Sequence, residues 1–128
     1  MIMERTFMKT AGIIAEYNPF HNGHSYHIRE TRRITGADYI IVVMSGDFCQ
    51  RGIPAISDKY LRAEMALENG ADLVLELPVR FSTASAEFFA YGAIAILNGI
   101  GVTDALCFGS ECSNISALSE IADILLHE

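Results

Sequence analysis

The sequence predicts an α/β fold, an open parallel sheet of at least four strands with helices on both faces. Two observations carry that expectation. Four short apolar runs, AGIIAEY from Ala11, DYIIVVMS from Asp38, ADLVLELP from Ala71 and TDALCFGS from Thr103, start roughly thirty residues apart, enough chain for a crossover helix between parallel strands. Each run is too short for a helix and is bounded by turn residues, as a strand buried on both faces would be. One segment of helical periodicity lies between each pair of runs, which is the rhythm of βαβ units. Composition agrees, since 128 residues with 51% hydrophobic and 20% charged content can bury the core of one globular domain.

Residues 1–10, which include MIMERTF, show no periodicity and read as an N-terminal extension, leaving 11–128 as the domain. The first helix is expected to open near Asn22 or Gly23, with Asn22 as N-cap, and to stop at Gly36. The second runs from about Ser57 to Asn69, with Ser57 or Asp58 as cap, Leu61 and Met65 on one face, and Asn69-Gly70 as the stop. The third, TASAEFFAYGAIAILNG, is apolar nearly all round, so it should pack between the sheet and either further chain or a second subunit. The last, SNISALSEIADILLHE, spaces Ile115, Leu118, Ala122 and Leu125 along one face behind a cap at Ser113 or Asn114. It ends without a C-cap signal, so the Rossmann-like βα series is expected to be a fragment, cut short at its C-terminus.

A formal net charge of -7 argues against a surface that grips nucleic acid throughout, because phosphate binding draws on clustered Lys and Arg. Cys49, Cys107 and Cys112 are odd in number and lack paired spacing, which disfavours a disulfide framework or a zinc site and suits a reducing cytoplasm. No segment reads as a signal peptide, and no apolar run is long enough to span a bilayer.

Ligands of open parallel sheets bind beyond the carboxyl ends of the strands, and EYNPFHNGH falls there after the first strand. His21 and His24 are three residues apart, so both imidazoles can face one volume over a helix N-terminus. Gly23 would let backbone and ligand approach, and free N–H groups with the helix dipole would attract an anion. Two imidazoles at that place can donate to phosphate oxygens as charge builds in a phosphoryl-group transition state. Metal binding competes as a reading, but no third ligand at zinc-type spacing accompanies them.

Other residues divide between function and plain structure. His27, one turn after His24, would line a nucleotide pocket or simply pack, and His127 reads as surface. Asn18 and Pro19 form a turn that aims His21. Arg51, in the loop after the second strand, would meet a phosphate, a carboxylate or RNA, or stand in solvent. Lys59 is a cation in a first helical turn, where the dipole disfavours it, so an anionic ligand is an alternative explanation. Gly109 and Ser110 sit where backbone amides could hold adenine or ribose, and Glu111 reads as a cap. Arg29, Arg32 and Arg33 read as a solvated face balanced by Glu30 rather than an RNA-binding patch. Glu76 and Glu87 interrupt apolar stretches and should have polar partners if buried. Nothing near Cys49 marks it as a nucleophile.

His21-Asn22-Gly23-His24 matches the HxGH motif of the nucleotidylyltransferase superfamily, whose members attack the α-phosphate of ATP and release pyrophosphate. Together with VVMSGDFCQRGIPAISDKYLRAEMAL, NGADLVLELPVRFSTASAEFFAYGA and FGSE, the chain from Ala11 resembles the bacterial tRNA(Met) cytidine acetate ligase family. That resemblance implies a reaction in which acetate and ATP give acetyladenylate, whose acetyl group passes to the wobble cytidine of elongator tRNA(Met). It also implies ATP contacts along Ile14, Ala15, Glu16, Tyr17, Asn18, Pro19, Phe20, His21, Asn22, Gly23, His24, Ser25, Tyr26 and His27, with another at Gly109. Mg²⁺ would bridge the ATP phosphates. Two other readings stay open, an adenylyltransferase of the pantetheine-phosphate or nicotinate-mononucleotide type and a nucleotide-binding module without turnover.

Overall fold

In the computed structural model, which describes residues 8–109 and 114–126, the chain alternates strands with helices in the expected order. Expectations for residues 1–7, Ser110, Glu111, Cys112, Ser113, the Leu125 side chain and His127 lie outside the described residues. The strands are β1 (Thr10–Ala15), β2 (Tyr39–Ser45), β3 (Leu73–Leu77) and β4 (Ala105–Leu106). They form one parallel sheet in the order β3-β2-β1-β4. Ala11 is the hinge of the register, paired with Ile40 on one side and Ala105 on the other. Strand order therefore reverses between β1 and β4, and crossovers from the two halves fall on opposite faces.

The helices are α1 (Asn22–Thr35), α2 (Lys59–Glu68), the short α3 (Val79–Ser82), α4 (Ala86–Ile100) and α5 (Ile115–Leu126). On one face Ile13, Ile40, Val42 and Met44 pack against Ile28 of α1 and Ala66 of α2. On the other, Ile41, Val43 and Leu77 pack against Phe89, Ala93 and Leu97 of α4. Burial on both faces holds for β2 and most of β1 but not for β3 and β4, which are the outer strands among the described residues and are half-covered. Gly12 lets α4 approach closely, because a Cβ there would stand 2.8 Å from Leu97 Cδ1.

Several local expectations need correction. The N-cap of α1 is His21, not Asn22, while Gly36 closes the helix in the left-handed region at φ 67° as its sequence position suggests. Asp58 caps α2 by accepting the Leu61 N–H. Its buried stripe is Arg62 and Ala66, whereas Leu61 is exposed. In the third segment, Ser85 caps α4, which buries Phe89, Gly92, Ala93 and Leu97 and leaves Phe88, Tyr91 and Ile94 open to solvent. Asn114 caps α5 by accepting the Ala117 N–H, but Ile115 and Ala122 on its expected inner face are exposed. Glu76 and Glu87 are exposed as well, Glu87 in the first turn of α4, where a carboxylate suits the helix dipole. Among the described residues no helix is long and apolar enough to cross a membrane.

Candidate functional site

The β1–α1 loop turns sharply at Tyr17, whose φ of 50° lies in the left-handed region that a non-glycine residue enters only when its surroundings hold it there. Tyr17 is buried, its ring edge-on to Phe20 and 4.8 Å from the His24 ring. Asn18 accepts the Ile56 N–H through Oδ1 at 2.7 Å, so the loop is tied to the segment leading into α2. The chain then enters α1 through a reciprocal cap. His21 Nδ1 accepts the Gly23 N–H at 3.0 Å, and His24 Nδ1 accepts the His21 N–H at 3.1 Å. This is a capping box built from two imidazoles rather than from Ser and Glu.

The box fixes the chemistry of both rings. A ring nitrogen that accepts a hydrogen bond carries no proton, so each imidazole is neutral and protonated on Nε2. The rings stack with centroids 3.7 Å apart and planes 24° from parallel. Burial, then the neighbouring His21 and His27 rings, hold the His24 pKa below the ordinary histidine range. Two Nε2–H donors thus lie side by side, and burial favours the neutral form of His24.

Gly23 has a different cause from the one the sequence suggests. A Cβ on it would fall 2.9 Å from His21 Cε1, so glycine admits the folded-back imidazole rather than a ligand. The helix N-terminus is also less open than expected, because the His24 and Ser25 amides are both donated to the His21 carbonyl. The imidazoles, not the Gly23, His24 and Ser25 amides, are the donors available to an anion.

A cleft of about 750 Å³ opens between the carboxyl ends of β1 and β4, where the strand order reverses. Ile14, Ala15, Glu16, Tyr17, Asn18, Pro19, His21, His24, Tyr26 and His27 line one side, and Phe108 and Gly109 the other. Four residues of the expected segment do not line it. Phe20 packs under Tyr17 and His24, Ser25 is buried and accepts from Arg29, Asn22 is an exposed first-turn residue, and Gly23 serves the cap. Burial lowers the His27 pKa, and its Nε2 is enclosed with no hydrogen-bond partner among the described residues.

The outlying candidates fall elsewhere. Arg51 is exposed in a 3-10 turn, Gln50–Gly52, with φ 62°, and does not line the cleft. Lys59 Nζ donates to both Glu76 carboxylate oxygens at 3.0 and 2.9 Å, an ion pair that accounts for its place in the first turn of α2. Arg32 bonds Asp72 and the Ala37, Asp38 and Gly70 carbonyls, and Arg33 pairs with Glu30, so neither is a free basic patch. Cys49 is buried and its thiol pKa is pushed up by that burial. Among the described residues no three His, Cys, Asp or Glu side chains gather as a metal site.

Sequence reasoning missed two residues. Phe108 walls the cleft, and an aromatic directly before a βα glycine was the available signal. Arg62, fully buried, reaches under the β1–α1 loop, and its only sequence signal is a charge one turn before Ala66 on the same stripe.

Comparison with known proteins bears on the family and the fold. The model of the HIGH Nucleotidyl Transferase family matches residues 8–128. The tRNA(Met) cytidine acetate ligase of Acetivibrio thermocellus is 57% identical over 94% of this chain and 29% of its own length. The ligase of that name from Clostridium kluyveri is 58% identical over 94% of this chain and 30% of its own. The chain thus spans less than a third of these curated relatives. The crystal structure of Thermotoga maritima TmcAL bound with alpha-thio ATP superposes with a TM-score of 0.88 at 52% identity, covering 94% of this chain and 29% of that one. The family-model match over nearly the whole sequence, the parallel sheet and the paired histidines at its switch point lead to one assignment: the chain belongs to the HIGH nucleotidyl transferase family.

Proposed function

We propose that this chain is the ATP-binding part of a tRNA(Met) cytidine acetate ligase. The observation that carries the reading is the neutral, stacked His21–His24 pair, with both Nε2–H donors fixed by the capping box at the mouth of the β1/β4 cleft. In the first step an acetate oxygen attacks the α-phosphorus of ATP, the new O–P bond forming as the bond to pyrophosphate breaks. Negative charge grows on the phosphoryl oxygens, and His21 and His24 stabilise it by donation without having to lose or gain a proton. In the second step the exocyclic amine of the wobble cytidine takes the acetyl group, AMP leaves and the amine loses a proton.

The residues between Ile14 and His27 that line the cleft, with Gly109 opposite, form the proposed ATP-binding set. The enclosed His27 Nε2 is a ready partner for a nucleotide atom. Phe108, an exposed aromatic on the opposite wall, offers a face to the adenine. Mg²⁺ fits this cleft as a companion of the triphosphate, since magnesium is commonly held by substrate phosphates and waters rather than by a protein cage. Arg51, exposed in the loop beyond β2, stays a candidate contact for tRNA or a carboxylate. Lys59 would have to leave Glu76 to serve as one, and Ser110 lies outside the described residues. The open α4 face of Phe88, Tyr91 and Ile94 supports self-association through that helix, which sedimentation of the intact protein tests.

The deciding measurement is pyrophosphate release by the intact protein from ATP, with and without acetate, followed by transfer of labelled acetyl to elongator tRNA(Met). Acetate-dependent release is expected. Release that requires a phosphorylated cofactor precursor instead would replace the ligase by a small-substrate adenylyltransferase, and ATP binding without release would leave a nucleotide-binding module.

A further inference from the structure

We propose that Arg62 is a positioning residue for the His21–His24 pair, acting from α2 through the backbone of the β1–α1 loop. The proposal deepens the reading of the cleft as a site of adenylate chemistry and rests on it for its kinetic consequence. Arg62 has no exposed surface and heads the fully buried side chains in size. An arginine guanidinium carries a positive charge, and a buried charge is costly unless it is partnered. Among the described residues no carboxylate forms an ion pair with it. Its partners among the described residues are backbone carbonyls: Nη1 donates to Glu16 at 2.7 Å and Ser45 at 3.2 Å, Nη2 to Gly46, and Nε to Ser57 at 3.1 Å.

Those four carbonyls belong to three segments, the exit from β1, the exit from β2 and the approach to α2. One planar fork therefore fixes the β1–α1 loop, which lines the cleft, against the exit from β2 and the approach to α2. The link to the histidines is short. The Glu16 carbonyl is held by Nη1, the next residue is Tyr17 in its left-handed conformation, and the Tyr17 ring packs against His24. The Ser45 hydroxyl donates to the same Glu16 carbonyl at 3.4 Å. A small shift of Glu16 would turn Tyr17 and release the ring that supports the capping box.

The test is Arg62→Lys in the intact protein, since lysine keeps the charge but cannot bond three segments in fixed geometry. Imidazole ¹⁵N spectra report the tautomers of His21 and His24 directly, and single-turnover adenylate formation reports alignment. A misplacement of about 1 Å can cost about a hundredfold in rate, and a loss of that order is expected here. The variant's histidine signals should move from the uniform Nε2–H form to a tautomer mixture. Because the substitution also removes buried hydrogen bonds, both readouts are repeated in trimethylamine N-oxide at a concentration that restores the wild-type melting temperature. Restored folding with the histidines still mixed and the rate still low supports the proposal. Recovery of tautomer and rate along with folding, unchanged histidine spectra, or a chain that stays unfolded would each reduce Arg62 to a fold-holding residue and overturn it. The tautomer readout needs no acetate, so a failure of the ligase reading would show separately, as a wild-type protein with ordered histidines and no acetyladenylate.

Discussion

Replacing His24 by Ala should damage catalysis and stability by separable amounts. The side chain has two jobs on two nitrogens. Nδ1 accepts the His21 N–H at 3.1 Å, and losing such a cap costs about 1 kcal/mol. The ring also stacks on His21 and leans on Tyr17, contacts worth about 1 kcal/mol more. A stability loss of about 2 kcal/mol corresponds to a melting temperature lower by about 8 °C for a domain of this size. In the proposed reaction Nε2–H donates to the phosphoryl group, and removing one such donor costs about 3 kcal/mol of transition-state stabilisation, or about a hundredfold in rate. His24→Gln separates the two roles, because glutamine three residues into a helix is a natural capping-box acceptor but has no imidazole. It should regain about 1 kcal/mol, or about 4 °C, and remain slow. Quenched single turnovers with labelled acetate, run beside thermal melts of both variants, supply the numbers. Wild-type adenylate formation in His24→Ala, or a glutamine variant whose rate returns with its stability, would show that His24 serves the helix cap alone.

Acid should weaken the site from the side of the histidines. Burial lowers the folded pKa of both His24 and His27, so the unfolded chain takes up protons first, near its ordinary pKa of about 6.5. Their contribution is complete above that value and is lost as pH falls through the lower folded pKa values, which melts between pH 7.5 and 5 would register as a declining transition temperature. Gly12→Ala should destabilise the chain by about 1–3 kcal/mol through overpacking against Leu97 and Thr103, read by urea denaturation with an unchanged m-value. Cys49, buried with its thiol pKa raised, should resist iodoacetamide at neutral pH while the partly exposed Cys107 is alkylated, as peptide mapping of the folded protein would reveal.

The parallel sheet was legible because its strand runs are continuous, apolar and evenly separated, and because Gly36 and Asn69 mark helix ends. Edge position was not. Leu73–Leu77 reads as apolar as Tyr39–Ser45, and only the pairing order leaves one half-covered and the other enclosed. The histidine motif announced itself by type and spacing, yet the cap at His21 did not, since imidazole is outside the usual set of capping side chains and Asn22 is within it. Arg62 was hidden for a related reason. A buried charge satisfied by carbonyls has no partner residue to betray it in the sequence. Lys59 looked unexplained along its own helix because Glu76, seventeen residues away, becomes its neighbour only when β3 joins the sheet.

The two-residue length of β4 makes the cleft mechanically lopsided. One wall grows from β1, clamped in the sheet between β2 and β4, while the Phe108–Gly109 wall hangs from an edge held by the Asp104 and Cys107 amides on the Thr10 and Gly12 carbonyls. A two-residue pairing opens locally at lower free-energy cost than the six-residue pairing of β1 with β2, so a nucleotide spanning both walls would add rungs to the ladder. Part of its binding free energy would then go into holding β4 in place. Affinity could be adjusted by strengthening or weakening that edge, leaving the paired imidazoles, and with them the rate of the chemical step, as they are.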